Sequence, residues 1–207
     1  MKKIIIILTV IILKPICIFS SENVTANDAF ETLKQSNFAK AIVQFSNLIN
    51  NFDNSANFYY GRGMSFYYLD NFSKAEADFR KAIQIDENYF DAYLGLAFVL
   101  IARGENNNSL QILDKAIKIN PNSSNAFYSR GLINYVERNF KNAISDFTVA
   151  LQLDSENINA LYGRAIAFYQ LRDFENAKID FENYLSKENR NQNLANESRR
   201  LLTVIKR

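Results

Sequence analysis

The stretch Tyr59-Tyr60-Gly61-Arg62-Gly63 decides the fold, because related stretches return at intervals of 34 residues. Its counterparts are Tyr93-Leu94-Gly95-Leu96-Ala97, Phe127-Tyr128-Ser129-Arg130-Gly131 and Leu161-Tyr162-Gly163-Arg164-Ala165. The blocks 56–89, 90–123, 124–157 and 158–191 align without an insertion or deletion, and block 22–55 follows the same register in its second half. A constant period over most of the chain predicts an array of similar structural units.

Each block contains two amphipathic helical patterns separated by a short polar break. In block 56–89, apolar or small residues recur at three- and four-residue steps in both patterns, as in Tyr59, Gly63, Phe66 and then Phe72, Ala75, Phe79, Ala82, Ile83. One such helix pair cannot bury its apolar face alone, but stacked pairs share a continuous core. The chain has only 2 Pro and 6 Gly, which also favours long helices over a turn-rich β-sandwich. The sequence therefore predicts an all-α protein.

This pattern resembles the tetratricopeptide repeat from residue 22 to residue 191. The family has a bulky residue early in the first helix, here Tyr59, Tyr93, Phe127 and Leu161. It has a small residue where the two helices cross, here Gly63, Ala97, Gly131 and Ala165. An aromatic residue and an alanine open its second helix, here Phe72 with Ala75, Phe140 with Ala143 and Phe174 with Ala177.

The resemblance implies a right-handed α-solenoid of antiparallel helix pairs, with about five units: 22–55, 56–89, 90–123, 124–157 and 158–191. Residues 192–207 are predicted to form a C-terminal capping helix. Leu194, Leu201, Leu202 and Ile205 would face inward, and Glu197, Arg199, Arg200 and Lys206 would face solvent. A polar outer face on a terminal helix keeps a solenoid soluble.

Two sets of positions that recur with the 34-residue period, called columns here, carry charges and change together along the chain. Arg62, Arg130 and Arg164 are each followed sixteen residues later by an aspartate: Asp78, Asp146 and Asp180. Block 90–123 has Leu96 and Ile112 at these two positions. Because an ion pair is replaced by an apolar pair as a unit, we expect the columns to touch as structural ion pairs. The alternative is a row of arginines that binds an anionic ligand.

Asn134 stands in an otherwise apolar column and needs a hydrogen-bond partner that the sequence does not reveal.

In the tetratricopeptide family the first helices line a concave groove that takes peptides or partner helices. The resemblance carries the groove-facing positions onto Tyr60, Met64, Tyr67, Leu94, Phe98, Ile101, Tyr128, Leu132, Tyr135, Tyr162, Ile166 and Tyr169. Tyrosine, with its large apolar body and polar tip, suits a binding surface. The alternative is that many of these rings only pack between repeats. A chaperone-carboxylate clamp is disfavoured, since its Lys and Asn positions hold Tyr60 and Met64.

The residue inventory argues against catalysis, metal binding and nucleic-acid binding. The chain has no His, so the usual base and metal ligand are missing. No Gly-Lys-Ser/Thr phosphate loop accompanies Gly61 and Gly63. Loss of an N-terminal leader would leave 21 basic against 22 acidic residues, which gives no basic stripe for a phosphate backbone. We expect no enzyme, no catalytic residue, no cofactor, no metal and no nucleic-acid partner.

The N-terminus has the pattern of a secretory signal peptide over residues 1–20. Met1-Lys2-Lys3 is basic, and an apolar run from Ile4 to Leu13 follows, shorter than the span a bilayer requires. An uncleaved membrane anchor is the alternative. Lipidation at Cys17 would need a better motif than Lys14-Pro15-Ile16 in front of it. We expect an exported protein, periplasmic or secreted, with membrane contact only through this segment.

These features predict a non-enzymatic scaffold that binds a peptide or helix of a partner protein in the concave groove. Export would allow such a scaffold to assist the assembly of envelope or surface complexes. Two other readings stay open. The protein could be a secreted effector or ligand-binding protein, or a structural subunit that associates with itself.

Overall fold

A computed structural model describes residues 24–52, 55–187 and 191–205, and every regular element in these ranges is an α-helix. The first helices of the pairs are α1 (Ala26–Lys34), α3 (Ala56–Tyr68), α5 (Phe90–Ala102), α7 (Ser124–Val136) and α9 (Ile158–Gln170). Their second helices are α2 (Phe38–Asn51), α4 (Phe72–Ile85), α6 (Asn106–Ile119), α8 (Phe140–Leu153) and α10 (Phe174–Ser186). The helix α11 (Gln192–Ile205) follows the last pair. The predicted all-α solenoid is confirmed.

Each block from 56 to 191 contains one complete helix pair, and α1 with α2 forms the pair of block 22–55. The predicted signal peptide, 1–20, and Cys17 lie outside the described residues. Among the helices of the described ranges, none has both the length and the apolar character needed to cross a bilayer.

The turn inside each pair uses one residue in the left-handed conformation. These residues are Ser36, Asp70, Gly104, Arg138 and Arg172, with φ between 56° and 75°. The turn is closed by backbone bonds such as Asn71 N to Phe66 O at 2.9 Å, and the Asn71 side chain then accepts from Lys74 N to begin the second helix. Five equivalent turns place the five pairs in the same antiparallel arrangement.

Buried aromatic rings hold neighbouring pairs together. Phe45, Phe79, Phe147 and Phe181, one from each of four second helices, have no exposed surface, and Leu113 takes the corresponding place in α6. Phe79 lies between glycines of two successive units. A Cβ atom would lie 2.9 Å from the Phe79 ring at Gly63 and 2.6 Å from it at Gly95. Both glycines are therefore required by close helix approach, and the opening Gly-Arg-Gly stretch is a packing feature.

The helix α11 continues the array after α10. It begins 34 residues after α9 begins, which is one repeat period. Its buried residues are Ala195, Ser198 and Leu201. Tyr184, where other units have a small residue, is 1% exposed and donates from its hydroxyl to the Asn191 carbonyl at 3.2 Å. This large side chain fills the space beneath α11.

Candidate partner-binding groove

The predicted groove residues lie on the first helices α3, α5, α7 and α9. Leu94 is buried and Leu132 is 38% exposed, while the other ten are half-buried. Half-burial of a large side chain leaves one face anchored in the fold and the other accessible. Leu94 is therefore a core residue, which corrects its assignment to the groove surface.

The groove tyrosines rest on phenylalanines of the second helix in their own unit. Ring centroids are 6.0 Å apart for Tyr128 and Phe147, and 5.5 Å apart for Tyr135 and Phe140. In the next unit Tyr162 lies 6.2 Å from Phe181, and Tyr169 lies 5.7 Å from Phe174. Such aromatic pairs fix the ring positions beyond what area burial alone contributes. The rings thus pack within units, and their half-exposed faces are held rigid.

A concave pocket of ≈ 500 Å³ opens in the C-terminal half of the array. It brings together six of the predicted groove residues: Tyr128, Leu132, Tyr135, Tyr162, Ile166 and Tyr169. The six predicted residues on α3 and α5 do not line this pocket. A volume of this size lies within the range of sites that enclose a ligand or an anchoring group.

The third wall of the pocket comes from α11. It contributes Leu194, Glu197, Arg200, Leu201 and Val204. Glu197 and Arg200 were expected to face solvent, and their side chains are 38% and 67% exposed, but both also line the pocket. Because α11 begins one repeat period after α9, it occupies the first-helix position and presents a face to the groove as α7 and α9 do. The 34-residue spacing between α9 and α11 was the sequence signal that could have revealed this wall.

The charges at the pocket cancel each other. Among the described lining residues, the charged ones are Glu197 and Arg200, and Arg200 donates to Glu197 through its guanidinium. Desolvation, followed by the negative charge of Glu197, raises the pKa of Tyr162 to about 12. The described lining is thus mostly aromatic and aliphatic, with the amides of Asn159 and Gln170 and no net charge.

The raised pKa of Tyr162 predicts a pH effect on stability. The unfolded chain ionises this phenol near 10.0, whereas the folded protein holds it neutral until about 12. Because the unfolded state loses its proton first, this tyrosine should lower the free energy of unfolding progressively as pH rises across that window. Denaturant melts of the protein and of Tyr162→Phe at several alkaline pH values would measure the difference. A Tyr162-specific absorbance change centred on pH 10 would contradict the assignment.

The three predicted ion pairs are formed between the first and second helices of their units. Arg62 donates through Nε and Nη2 to the two carboxylate oxygens of Asp78, both at 2.8 Å. Arg164 donates through Nε to Asp180 Oδ2 at 2.7 Å and through Nη2 to Asp180 Oδ1 at 2.9 Å. Arg130 Nη2 donates to Asp146 Oδ1 at 2.6 Å. These aspartates are buried, so the forked geometry satisfies carboxylates that water does not reach.

Each of these arginines also reaches the preceding unit, which the sequence did not reveal. The Nη1 atoms donate to Ser46, Asp114 and Thr148, at 3.2, 2.8 and 3.3 Å respectively. All three acceptors lie sixteen residues before their arginine. The guanidinium groups are thus engaged in bonds between helices, and the geometry gives no support to an anion-binding row.

The partner of Asn134 is Asp146. The Asn134 amide donates to Asp146 Oδ2 at 2.9 Å, and both residues are buried. The carboxylate therefore accepts from Arg130 and Asn134 together. Asn134 stands where other units have Phe66, Leu100 and Phe168. Its amide completes the hydrogen bonding of the buried Asp146 carboxylate.

Two sequence models of the tetratricopeptide repeat match the chain, one at residues 56–89 and the other at residues 91–123. No curated protein sequence matches the chain significantly. Among solved structures, PilF of Pseudomonas aeruginosa is 18% identical, with a TM-score of 0.74 over 80% of this chain and 76% of PilF. MamA (residues 41 to the end) of Desulfovibrio magneticus RS-1 is 19% identical, with a TM-score of 0.70 over 77% of this chain and 90% of that one.

YrrB, described as a tetratricopeptide repeat protein with an unusual peptide-binding site, is 20% identical, with a TM-score of 0.68 over 84% of this chain and 89% of its own. At these identities the likeness concerns the fold. The repeats and this fold support a role as a protein–protein interaction scaffold. The described part of the chain is an all-α solenoid, and its residues 56–89 and 91–123 match the tetratricopeptide repeat.

Proposed function

We propose that this protein is a non-enzymatic scaffold that binds a helix or extended segment of a partner protein in its concave groove. The observation that carries the proposal is the ≈ 500 Å³ pocket bounded by α7, α9 and α11. Four tyrosines surround it, and each makes a tilted or edge-to-face contact with a phenylalanine. Pre-positioned aromatic side chains lose little conformational entropy when a partner binds, and they are enriched among residues that dominate binding energy.

The chemistry of the pocket favours an apolar anchor on the partner. Leu132, Ile166 and Val204 offer aliphatic surface, and the single charge pair Glu197–Arg200 is already satisfied. A buried partner charge would find no free counter-charge among these residues and would be costly to desolvate. A leucine, phenylalanine or similar side chain, flanked by groups that hydrogen-bond to the tyrosine hydroxyls, fits best. The peptide-binding site described for YrrB supports such a use of the fold.

Site-specific photocrosslinking in the native host tests the groove. Leu132 is 38% exposed and lines the pocket, so a photoreactive phenylalanine there should form adducts with the partner. The matched control is the same substitution at Ile179, which is 54% exposed on α10 and does not line the pocket. We expect adducts from position 132 and not from position 179.

A blocking substitution sharpens this experiment. Ile166→Glu places an unpaired charge in the pocket and should abolish the adducts from position 132, while Ile179→Glu should preserve them. Circular dichroism would verify that both variants keep their helices. The groove proposal is wrong if position 179 gives the same adducts, or if Ile166→Glu leaves the adducts unchanged. Adducts with a second copy of this chain would instead support the self-associating subunit.

We further propose that the protein is exported and assists the assembly of envelope or surface complexes outside the cytoplasm. The support is the basic start at Lys2-Lys3 and the apolar run from Ile4 to Leu13. Cell fractionation, with mass spectrometry of the mature N-terminus, tests this directly. A periplasmic or extracellular protein that begins near Ser21 is expected, and a full-length cytoplasmic protein would contradict the proposal.

A further inference from the structure

The first unit breaks the arginine–aspartate pattern of the array. One period before Arg62 and Asp78 stand Asp28, on α1, and Gln44, on α2. The first helix therefore carries the acid, and the second helix carries a neutral amide. No cation of the unit's own first helix occupies the place that a guanidinium fills in three other units.

Gln44 is a buried acceptor without a donor. The residue is 8% exposed, and within the described ranges no group donates to its Oε1 atom. Buried side-chain oxygens are nearly always hydrogen-bonded, because an unpaired one has lost its water without compensation. The corresponding Asp78 receives two hydrogen bonds from Arg62. Among the described residues, Gln44 thus lacks the kind of partner that Asp78, Asp146 and Asp180 have.

A polar pocket of ≈ 280 Å³ lies at this position, between α1 and α2. Gln44, Asp28 and Glu31 line it, with the Lys40 side chain as the one cation among its described lining residues. Glu31 is paired at 2.7 Å with Lys34, which does not line the pocket, so Asp28 is the lining carboxylate that forms no ion pair among the described residues. Thr25 donates to Asp28 Oδ2 from its hydroxyl at 2.7 Å and its backbone at 2.9 Å, which lowers the pKa of Asp28. This carboxylate is therefore ionised at neutral pH.

We propose that this pocket binds an arginine side chain of a partner protein. A guanidinium carries several donors in a planar fork, so one group can bond to the Gln44 oxygen and to the Asp28 carboxylate together. It would reproduce the contacts that Arg62, Arg130 and Arg164 make within their own units. The compact lysine ammonium lacks this forked geometry. The site lies in the first unit, away from the tyrosine-lined pocket, and does not depend on the groove proposal.

Titration with N-acetyl-arginine methylamide, followed by NMR of the protein, tests the site. We expect saturable shifts at the backbone amides of Thr32 and Gln35 and at the Gln44 side-chain amide. The citrulline analogue, which has the same shape without the charge, should produce no saturable shift, and the lysine analogue should bind more weakly. Equal shifts with citrulline and arginine, or none with arginine, would overturn the proposal.

The substitution Gln44→Leu separates binding from a structural role. It removes the unpaired oxygen, so the melting temperature should stay the same or rise. The affinity of the variant for the arginine analogue should fall about tenfold, because one charge-assisted hydrogen bond is lost. Val43→Ala, at a 59% exposed neighbour that does not line the pocket, should leave the affinity unchanged. If Gln44→Leu lowers the melting temperature and binds arginine as before, Gln44 is a structural residue. Groove crosslinking from position 132 should be unaffected in either case.

Discussion

Replacing Phe79 by alanine is expected to destabilise the protein by about 3–5 kcal/mol. The ring has no exposed surface and lies between Gly63 of its own unit and Gly95 of the next unit. Its removal leaves a cavity that touches three helices, and neither glycine has a side chain that could fill it. The loss should appear as a lower denaturation midpoint in the helical circular dichroism signal. Because units of a solenoid support only their neighbours, the N-terminal half should unfold first.

Phe52→Ala is the matched control for this substitution. Phe52 is 62% exposed at the end of α2, so the same chemical change should cost about 1 kcal/mol or less. Hydrogen exchange would locate the effect, with early loss of protection in α3, α4 and α5 of Phe79→Ala. Equal destabilisation by the two substitutions would mean that the inter-unit core is not centred on this ring.

Replacing Arg130 alone by leucine is expected to destabilise the protein by about 3 kcal/mol. The side chain of Asp146 is 6% exposed, and it would lose its charged partner while remaining buried. The value lies at the low end for a broken buried pair because the Arg130 side chain is 26% exposed. The link to Asp114 in the preceding unit would also be lost, although that carboxylate is 54% exposed and gains water in exchange.

An apolar replacement of the whole cluster should recover most of this loss. The double variant Arg130→Leu/Asp146→Ile leaves the Asn134 amide buried without its acceptor. Adding Asn134→Leu reproduces Leu96, Leu100 and Ile112 of block 90–123, and this triple variant should return to within about 1 kcal/mol of the parent protein. Urea melts of the single, double and triple variants measure the coupling. Additive losses across the series would refute a shared cluster.

The contacts of the cluster formed by Arg130, Asp146 and Asn134 were predicted in part by comparing the repeats of the chain with one another. The joint change of Arg130 and Asp146 to apolar residues in block 90–123 predicted their contact, because an unpaired buried charge is not tolerated. The bonds from the arginines to Ser46, Asp114 and Thr148 had no such signal. These acceptors differ chemically from unit to unit, so no column pattern marks them.

The lining of the ≈ 500 Å³ pocket was predicted in part. Tyr128, Tyr135, Tyr162 and Tyr169 line the pocket because first-helix positions repeat with the period of the array. Leu94 occupies an equivalent column but is buried, since the packing around α5 differs from that around α7 and α9. Burial depends on the neighbours of a side chain and not only on its place in the period.

The sequence by itself determined the helix pairs and most of the side chains that face their shared core. A 34-residue period dictates these features locally, because each unit contacts only its neighbours in the chain. Tertiary structure decided that Glu197 and Arg200 line the pocket, and that Gln44 has no donor among the described residues. Both features arise in the first and the last described helices, where the surroundings of a side chain differ from those inside the array.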